Sequence, residues 1–200
     1  MFVDWGILDW IQETLRCSLL DALMPLITTL GNGGAVWIVI ALVLLVQRRT
    51  RPVGVMLLVG LALGAIVGNG ILKPLIARER PCWIDFRVHM LIPTPQDYSF
   101  PSGHTLSSSV AATVLFLANY RWGRWAIPLA ALIAFSRLYL FVHFPSDILA
   151  GALIGIGIGV LVFDIGDSLA RKLNGSTRTR KGALKSKVTE TGNARGNGLR

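Results

Sequence analysis

Long apolar stretches separated by short polar turns are the feature that most constrains the fold of this chain. They cover about 17–31, 33–47, 53–72, 105–119, 125–142 and 148–169. A membrane-crossing helix needs about 20 mostly apolar residues, and the last four stretches approach that length with their flanks. The composition, with 52% hydrophobic and only 16% charged residues, argues against a soluble globular fold. The pattern predicts an all-α integral membrane bundle of about six membrane segments.

The N-terminal segment, 1–16, differs from the apolar middle of the chain. It lacks the basic start of a signal peptide, and its large apolar side chains recur every three or four residues. Those side chains are Trp5, Leu8, Ile11 and Leu15. The pattern predicts an amphipathic helix in the membrane interface, ahead of a membrane domain over 17–170.

The C-terminal segment, 171–200, is strongly basic. It holds nine of the 20 Lys and Arg residues and one acidic residue, Glu190. We expect a disordered cytoplasmic tail whose charge is a topology signal, with contact to anionic lipid headgroups as the alternative. The segment has no aromatic residue to stack on bases, which argues against nucleic acid as a partner.

Basic residues in the short turns predict the orientation in the membrane. Arginines cluster at 48–52 and 120–124, which assigns both turns to the cytoplasmic side of a plasma membrane. Alternation of the helices then places 73–104 and 143–147 together on the outer face. The outer segment nevertheless carries basic residues of its own: Lys73, Arg78, Arg80 and Arg87. An anionic substrate would account for them.

Three groups of polar residues fall on this predicted outer face, and the first is formed by Lys73 and Arg80. Lys73 directly follows the apolar stretch 53–72, so its ammonium is expected near the membrane surface. Taken alone, Lys73 also fits a long cation that reaches out of the membrane to water.

The second group, Pro101 to His104, opens the next predicted helix. A helix N-terminus offers free N–H groups to an anion, and Gly103 lets the backbone approach closely. Ser102 adds a hydroxyl. Ordinary helix capping explains the proline and the serine, but it does not explain His104 at the mouth of a membrane helix.

The third group consists of Arg137, His143 and Asp147. An arginine inside an apolar segment costs at least about 2.5–3.5 kcal/mol, so Arg137 needs a partner or a function. Asp147 follows His143 by four residues, a spacing that lets the carboxylate accept a hydrogen bond from the imidazole. The other ring nitrogen is then available as a nucleophile. Alone, the pair also fits a structural His–Asp contact.

Together the three groups favour phosphoryl transfer. Cations and backbone N–H groups bind a tetrahedral oxyanion, while one histidine attacks phosphorus and another protonates the leaving oxygen. This set is sufficient without a cofactor, and no carboxylate cluster typical of magnesium or zinc sites is present on that face, so we expect no metal. Cys17 and Cys82 have no metal-site spacing and are expected to be unpaired.

These motifs resemble those of the type 2 phosphatidic acid phosphatase family, whose fold is shared with vanadium haloperoxidases. The family pattern is K-x6-RP, then PSGH, then SR-x5-H-x3-D. Every position matches: Lys73, Arg80-Pro81, Pro101-Ser102-Gly103-His104, Ser136-Arg137, His143 and Asp147. The motifs cover 73–147, and the helical pattern around them extends the resemblance to about 17–170.

The resemblance implies a role for each matched residue. His143 would be the nucleophile that forms a phosphohistidine, Asp147 would orient it, and His104 would be the general acid for the leaving group. The phosphoryl oxygens would be held by Lys73, Arg80, Ser102, Gly103 and Arg137. The implied activity is metal-independent hydrolysis of a lipid phosphomonoester or diphosphate at the outer face.

The resemblance leaves several alternatives open. Short undecaprenyl-diphosphate phosphatases tend to have aspartate where Gly103 stands, so the glycine favours phosphatidate or phosphatidylglycerophosphate, with undecaprenyl diphosphate as the alternative. A lipid phosphotransferase using the same site is another. A non-enzymatic anion-binding protein would have little use for both histidines, and a vanadate peroxidase does not fit the long apolar helices. Loop residues outside the pattern are expected at most to tune substrate choice: Arg78, Glu79, Arg87, His89 and Asp97.

Overall fold

The computed structural model describes the backbone of residues 2–196 and the side chains of residues 2–172. This part of the chain contains nine α-helices and no β-strand, which confirms the predicted all-α class. The helices are α1 (Phe2–Trp10), α2 (Ser18–Leu30), α3 (Ala35–Val46), α4 (Arg51–Ala65), α5 (Lys73–Ile76), α6 (Pro81–Ile84), α7 (Gly103–Ala118), α8 (Tyr120–Tyr139) and α9 (Pro145–Gly196).

Three short helical segments of other geometry join these helices. A π-helical turn, Ile11–Leu15, follows α1, and another, Ile66–Leu72, joins α4 to α5. A 3₁₀ turn, Asn32–Gly34, joins α2 to α3, with φ of +58° at Gly33 and +74° at Gly34. Glycine adopts such positive φ values without steric cost, and the predicted break between the first two apolar stretches is therefore a tight turn.

Two helical stretches of the described chain have the length and hydropathy to cross a membrane: Arg51–Ile84, with 34 residues, and Pro145–Lys172, with 28. The pair Ser18–Leu30 and Asn32–Val46 meets the same standard only when taken together, and it is bent by 46°. Gly103–Ala118 is apolar but shorter. The apolar helical bundle agrees with the predicted membrane fold, whereas the number of about six membrane segments stays a prediction.

The helices α3, α4, α7 and α8 run between two ends of the bundle. α3 packs on α4, and α7 packs on α8. The turns of these two hairpins meet around a cavity of about 420 Å³, whose wall includes Arg49, Thr50, Asn119 and Trp122. Both arginine-rich turns therefore lie at one end of the bundle, as their common assignment to one membrane side requires.

The main apolar core lies between α3, α4, α7 and α8. Trp37, Leu57 and Val110 are fully buried within it. The indole Nε1 of Trp37 donates a hydrogen bond to Oγ of Ser108 at 2.9 Å. The polar atom of this large side chain is thereby satisfied, as buried tryptophans require.

Glycine faces of α4 and α9 pack against the two sides of α7. On α4, a Cβ at Gly64 would lie 2.5 Å from Cδ2 of Leu106. A Cβ at Gly60 would lie 2.7 Å from Cγ1 of Val110. On α9, a Cβ at Gly155 would lie 2.5 Å from the carbonyl oxygen of Leu106. Small residues at four-residue spacing allow this approach of membrane helices, and they set the position of α7 in the bundle.

A second apolar cluster joins the N-terminal helix to the segment between α8 and α9. Leu8 and Ile11 are buried in the same cluster as Phe141 and Phe144. The helical pattern expected from the apolar spacing at the N-terminus is therefore present, and its apolar face is docked on the protein. Its location in the membrane interface stays a prediction.

The chain divides into two compact units, Met1–Phe163, which contains every predicted site residue, and Asp164–Arg200. In the second unit Arg171 pairs with Asp167. The bounds of α9 extend through most of the predicted tail, 171–200, for which we expected disorder. Side chains after residue 172 lie outside the described residues, and contact of the tail with lipid stays a prediction.

The close packing of α9 on α7 predicts that Gly155→Ala destabilises the protein. The added methyl group would be pressed against the carbonyl of Leu106, and overpacking of this kind costs about 1–3 kcal/mol. Thermal unfolding in detergent micelles measures the loss. Gly157→Ala is the matched control, because a Cβ there meets nothing within 4 Å. Equal unfolding temperatures for the two variants would contradict the packing.

Candidate active site

A cavity of about 640 Å³ lies at the end of the bundle away from the arginine-rich turns. Six of the predicted site residues line it: Lys73, Arg80, Gly103, His104, Arg137 and His143. The other two, Ser102 and Asp147, are fully buried behind its wall. Among the described residues, no three His, Cys, Asp or Glu side chains gather as metal ligands would; a metal-independent reaction stays a prediction.

Two unusual backbone conformations bring distant segments to this cavity. Ala77 has φ of +48° and ends α5, and Phe141 has φ of +58° just after α8. Residues with side chains adopt positive φ only when the surrounding structure enforces it. The first conformation redirects the chain after Lys73 so that Arg80 turns back to the cavity. The second does the same for His143.

Arg80 is the most extensively bonded cation of the site. It is 2% exposed, and its Nη1 donates to the carbonyl oxygen of Val142 at 2.7 Å. The same nitrogen lies 3.1 Å from Nε2 of His143. The guanidinium is thereby held directly beside the imidazole, where it can receive a phosphoryl oxygen.

Arg137, in the last turn of α8, makes fewer hydrogen bonds than Arg80. Its Nη1 donates to the hydroxyl of Thr28, and it is 4% exposed. Its buried Nε has no hydrogen-bond partner within the described part of the chain. Buried donors are almost always paired, so this nitrogen on the cavity wall is suited to an anionic ligand.

His143 has the protonation pattern that a nucleophile requires. A guanidinium only donates hydrogen bonds, so the contact with Arg80 assigns the lone pair to Nε2 and the proton to Nδ1. Burial, followed by the charges of Arg80 and Arg137, lowers the pKa of His143 well below its usual value. The imidazole is therefore neutral near pH 7, with its basic nitrogen at the cavity.

Asp147 lies beside His143 as the spacing predicts, but the direct hydrogen bond is not formed. Its Oδ2 is 3.6 Å from Nδ1 of His143, beyond hydrogen-bond distance. This oxygen accepts instead from Oγ of Ser99 at 2.5 Å and from the N–H of Phe144 at 2.9 Å. Oγ of Ser99 also lies 3.4 Å from Nδ1 of His143, so Ser99 is a site residue that the sequence did not indicate.

His104, in the first turn of α7, fits against the glycine-rich turn that follows α2. A Cβ at Gly31 would lie 2.6 Å from Cδ2 of His104, so only glycine leaves room for the ring. Nε2 of His104 is 3.0 Å from Oδ1 of Asn32. An amide oxygen accepts, which assigns the proton to Nε2. The turn therefore orients a predicted catalytic residue through Asn32, which the sequence did not single out.

At the N-terminus of α7, Ser102 caps the helix and Gly103 exposes its backbone to the cavity. Oγ of Ser102 accepts from the N–H of Thr105 at 3.4 Å and from its hydroxyl at 3.0 Å, so Ser102 caps the helix. Its contact with a phosphoryl oxygen stays a prediction. Gly103 lines the cavity, and a Cβ there would lie 3.0 Å from Oδ1 of Asn69. The glycine thus keeps the backbone open to a ligand.

Asp97, expected to be a loop residue, sits among the cavity cations. Its carboxylate accepts from the ammonium of Lys73 and from Nη2 of Arg80 at 2.8 Å. Burial acts to raise the pKa of Asp97, but Lys73 and Arg80 outweigh it and lower the pKa to about 2. The ionised carboxylate therefore holds cations that a phosphate would otherwise contact. Its side chain is 57% exposed, which leaves it free to move away.

Arg78 and Asp4 also reach the site from outside the family pattern. Nη1 of Arg78 donates to Oδ1 of Asp147 at 2.6 Å, and its Nη2 donates to Oδ2 of Asp4 at 2.9 Å. The excess of cations in the outer segment was a signal for Arg78. The sequence contains no corresponding signal for Asp4, because only the docking of α1 brings this residue to the site.

Comparisons with known proteins agree with this geometry. The family model described as the PAP2 superfamily matches residues 53–169. An undecaprenyl-diphosphatase of Sulfolobus acidocaldarius is 35% identical over 152 residues, which are 75% of this chain and 72% of that protein. The resemblance inferred from the motifs is thereby confirmed.

Two solved structures show the same architecture. The first transmembrane PAP2 type phosphatidylglycerolphosphate phosphatase from Bacillus subtilis superposes with a TM-score of 0.67 at 28% identity, covering 83% of this chain and 85% of that one. LpxE of Aquifex aeolicus also has a TM-score of 0.67 at 28% identity, covering 81% and 95%. The helical membrane fold is therefore shared with both.

The position of Asp97 predicts that Asp97→Asn strengthens anion binding. Removing the carboxylate frees Lys73 and Arg80, and we expect orthovanadate or inorganic phosphate to bind about 3–10-fold more tightly, a gain of up to about 1.4 kcal/mol. Isothermal titration in detergent measures the affinity. Because the pKa of Asp97 is about 2, the difference from the wild type should not change between about pH 5 and about pH 8.

Asp85→Asn is the matched control for this measurement. Asp85 lies in the same loop, and Arg87 holds its pKa at about 2 as well. Neither of these residues lines the cavity. The control should bind both anions as the wild type does, and weaker binding by Asp97→Asn would contradict the competition.

Proposed function

The chain belongs to the PAP2 superfamily, and from this premise we propose that it is a membrane lipid phosphatase that hydrolyses the phosphomonoester or diphosphate of a lipid. One observation carries the proposal. Lys73, Arg80, Arg137, His104 and His143, from separate segments of the chain, line a single cavity. Three cations and two imidazoles around one space are suited to a tetrahedral phosphoryl group.

The first chemical step is attack by His143. Its Nε2 lone pair forms a bond to phosphorus as the bond from phosphorus to the leaving oxygen breaks. Arg80 now donates to that lone pair and has to transfer its hydrogen bond to a phosphoryl oxygen first. The proton on Nδ1 faces Asp147 and Ser99, which stabilise the positive charge that develops on the ring.

His104 supplies the proton for the leaving group. In its protonated form it donates from Nε2 to the departing alcohol or phosphate oxygen. In the second step water attacks the phosphohistidine, and His104 takes a proton from it. The nitrogen–phosphorus bond breaks, inorganic phosphate leaves, and His143 returns to its starting form.

The phosphoryl oxygens are held by Lys73, Arg80 and Arg137, together with backbone N–H groups at the start of α7. In the transition state the charge is spread over these oxygens, and donors already fixed around them stabilise it. The unpaired Nε of Arg137 supports its place in this set. No cofactor is required for either step.

We place the active site on the outer face of the plasma membrane. The arginine-rich turns lie at the opposite end of the bundle, and turns of this kind are retained in the cytoplasm. The basic tail is then cytoplasmic, 17–170 is the phosphatase domain, and 1–16 lies at the outer interface. The lipid phosphate substrate enters from the outer leaflet.

The same chemistry allows two classes of lipid substrate, and it allows a second lipid instead of water to accept the phosphoryl group. Phosphatidate or phosphatidylglycerophosphate carries a monoester, whereas undecaprenyl diphosphate presents a phosphate as the leaving group. A second lipid replacing water in the second step would make the protein a phosphotransferase. Thin-layer analysis of all three lipids, with release in ¹⁸O-labelled water, separates these cases by product and by the oxygen that phosphate acquires.

We predict that His143→Gln lowers phosphate release by about 10³- to 10⁶-fold, because the nucleophile is lost. Purified protein in detergent or vesicles, supplied with the lipid that the wild type hydrolyses, measures the rate. His89→Gln is the matched control: His89 is exposed and is not part of the cavity wall. Full activity of His143→Gln would end the assignment of the nucleophile.

We also predict that a cysteine at position 87 is labelled from outside intact cells. Arg87 is 85% exposed in the loop over the cavity. A membrane-impermeant maleimide should modify Arg87→Cys in a Cys17→Ser background, since the remaining Cys82 is buried. Arg121→Cys, in the opposite turn, should react only after the cells are opened. The reverse pattern would place the site in the cytoplasm.

A further inference from the structure

Arg78 connects the N-terminal helix to the carboxylate beside the nucleophile. Its Nη1 donates to Oδ1 of Asp147 at 2.6 Å and to Oγ of Ser146 at 2.7 Å, and its Nη2 donates to Oδ2 of Asp4 at 2.9 Å. The guanidinium carbon also lies 4.1 Å from the ring centre of Phe144. The guanidinium is therefore fixed by contacts with two segments of the fold, α1 and the stretch 144–147.

Asp4 is built into the start of α9 as well as into this contact. Its Oδ1 accepts from the N–H of Ser146 at 3.0 Å, and its Oδ2 accepts from the hydroxyl of Ser146 at 2.7 Å. Burial acts to raise the pKa of Asp4, but hydrogen bonds from Arg78 and Ser146 outweigh it and hold the pKa below its usual value. An ionised carboxylate of α1 thus caps the helix that carries Asp147.

Asp147 depends on these partners for its orientation. It is fully buried, and Oδ1 is held by Arg78 while Oδ2 is held by Ser99 and the N–H of Phe144. Within the described residues, Arg78 is the Lys or Arg that pairs with this carboxylate. A buried carboxylate without a cationic partner is strongly unfavourable, so the position of the Asp147 side chain depends on Arg78.

We propose that Arg78 and Asp4 are positioning residues for phosphoryl transfer: Asp4 fixes Arg78, and Arg78 holds Asp147 in the orientation that supports His143. Neither residue lines the cavity, so neither contacts the substrate. The proposal rests on the proposed function and adds α1 to the parts of the chain on which the chemistry depends.

The first test is the division of the effect between kcat and KM. Arg78→Gln should lower kcat by about 10- to 100-fold, the loss seen when residues that orient metal ligands are replaced, with KM changed less than about threefold. Asp4→Asn should lower kcat by about tenfold, and Arg78→Lys should recover part of the loss because it keeps the charge. A raised KM with unchanged kcat would show substrate binding instead and overturn the proposal.

A double variant tests whether Asp4 acts through Arg78. If it does, Asp4→Asn combined with Arg78→Gln should be no slower than Arg78→Gln alone, within about twofold. Losses that multiply would show two independent effects and contradict the proposed order of contacts. Asp9→Asn on α1 and Arg87→Gln are the controls, since both side chains are exposed.

The pH profile supplies a readout that a merely loosened structure would not produce. Loss of the Arg78 cation favours protonation of His143 and should move the acid limb of kcat/KM to higher pH. Loss of the Asp4 anion should move it to lower pH. The other charged groups near His143 are not substituted in either variant: Lys73, Arg80, Asp97, His104, Arg137 and Asp147.

The outcomes separate this proposal from the proposed function. If His143→Gln is inactive while Arg78→Gln and Asp4→Asn keep wild-type kcat and pH profiles, the positioning role is wrong and the phosphatase assignment stands. If the wild type releases no phosphate from any of the lipids, the function itself fails. Should Arg78→Gln not fold, the same kcat and pH measurements on Arg78→Lys and Asp4→Asn decide the question.

Discussion

The arrangement of the site depends on concentrating positive charge at one end of an apolar bundle. Lys73, Arg80 and Arg137 are each less than one-tenth exposed and line one cavity. Like charges brought together out of water repel and lose hydration, so the surrounding chain has to compensate them. The loop before α7 supplies Asp97 for two of them.

Close helix packing gives these charges a fixed position. The N-terminus of α7 forms one wall of the cavity, and glycines of α4 and α9 let α7 approach both neighbours. A Cβ added at Gly151, in the first turns of α9, would lie 2.8 Å from the carbonyl oxygen of Ser102. This close contact between α9 and the start of α7 therefore lies at Ser102, one residue before Gly103. Helix packing and the proposed binding of a phosphoryl group therefore involve the same few residues.

The fold class could be predicted because apolar stretches of membrane length are a local pattern. The convergence of the three motifs could be predicted because basic turns and alternating helices assign them to one face, and the family resemblance gives each matched residue a role. The partners of those residues could not be predicted. Asp97, Ser99 and Asp4 contact the site through folding of a loop and docking of a helix, and no spacing in the sequence encodes such contacts. The His143–Asp147 pair illustrates how far the sequence could predict the site. The spacing predicted that the two side chains are close, but not that Oδ2 of Asp147 lies 3.6 Å from Nδ1 of His143 and accepts a hydrogen bond from Ser99 instead.

Arg137 differs from the other cations in a way that bears on binding. Within the described residues it pairs with no carboxylate, and its Nε has no partner. Its neighbours Lys73 and Arg80 share Asp97, so Arg137 is the one of these three cations without a carboxylate in direct contact, and its burial is costly. That cost is a property of the folded state, and any phosphate that binds relieves it. Ligand binding to the folded form stabilises it by mass action, so a phosphate bound as proposed would couple occupancy of the cavity to the stability of the bundle through this guanidinium.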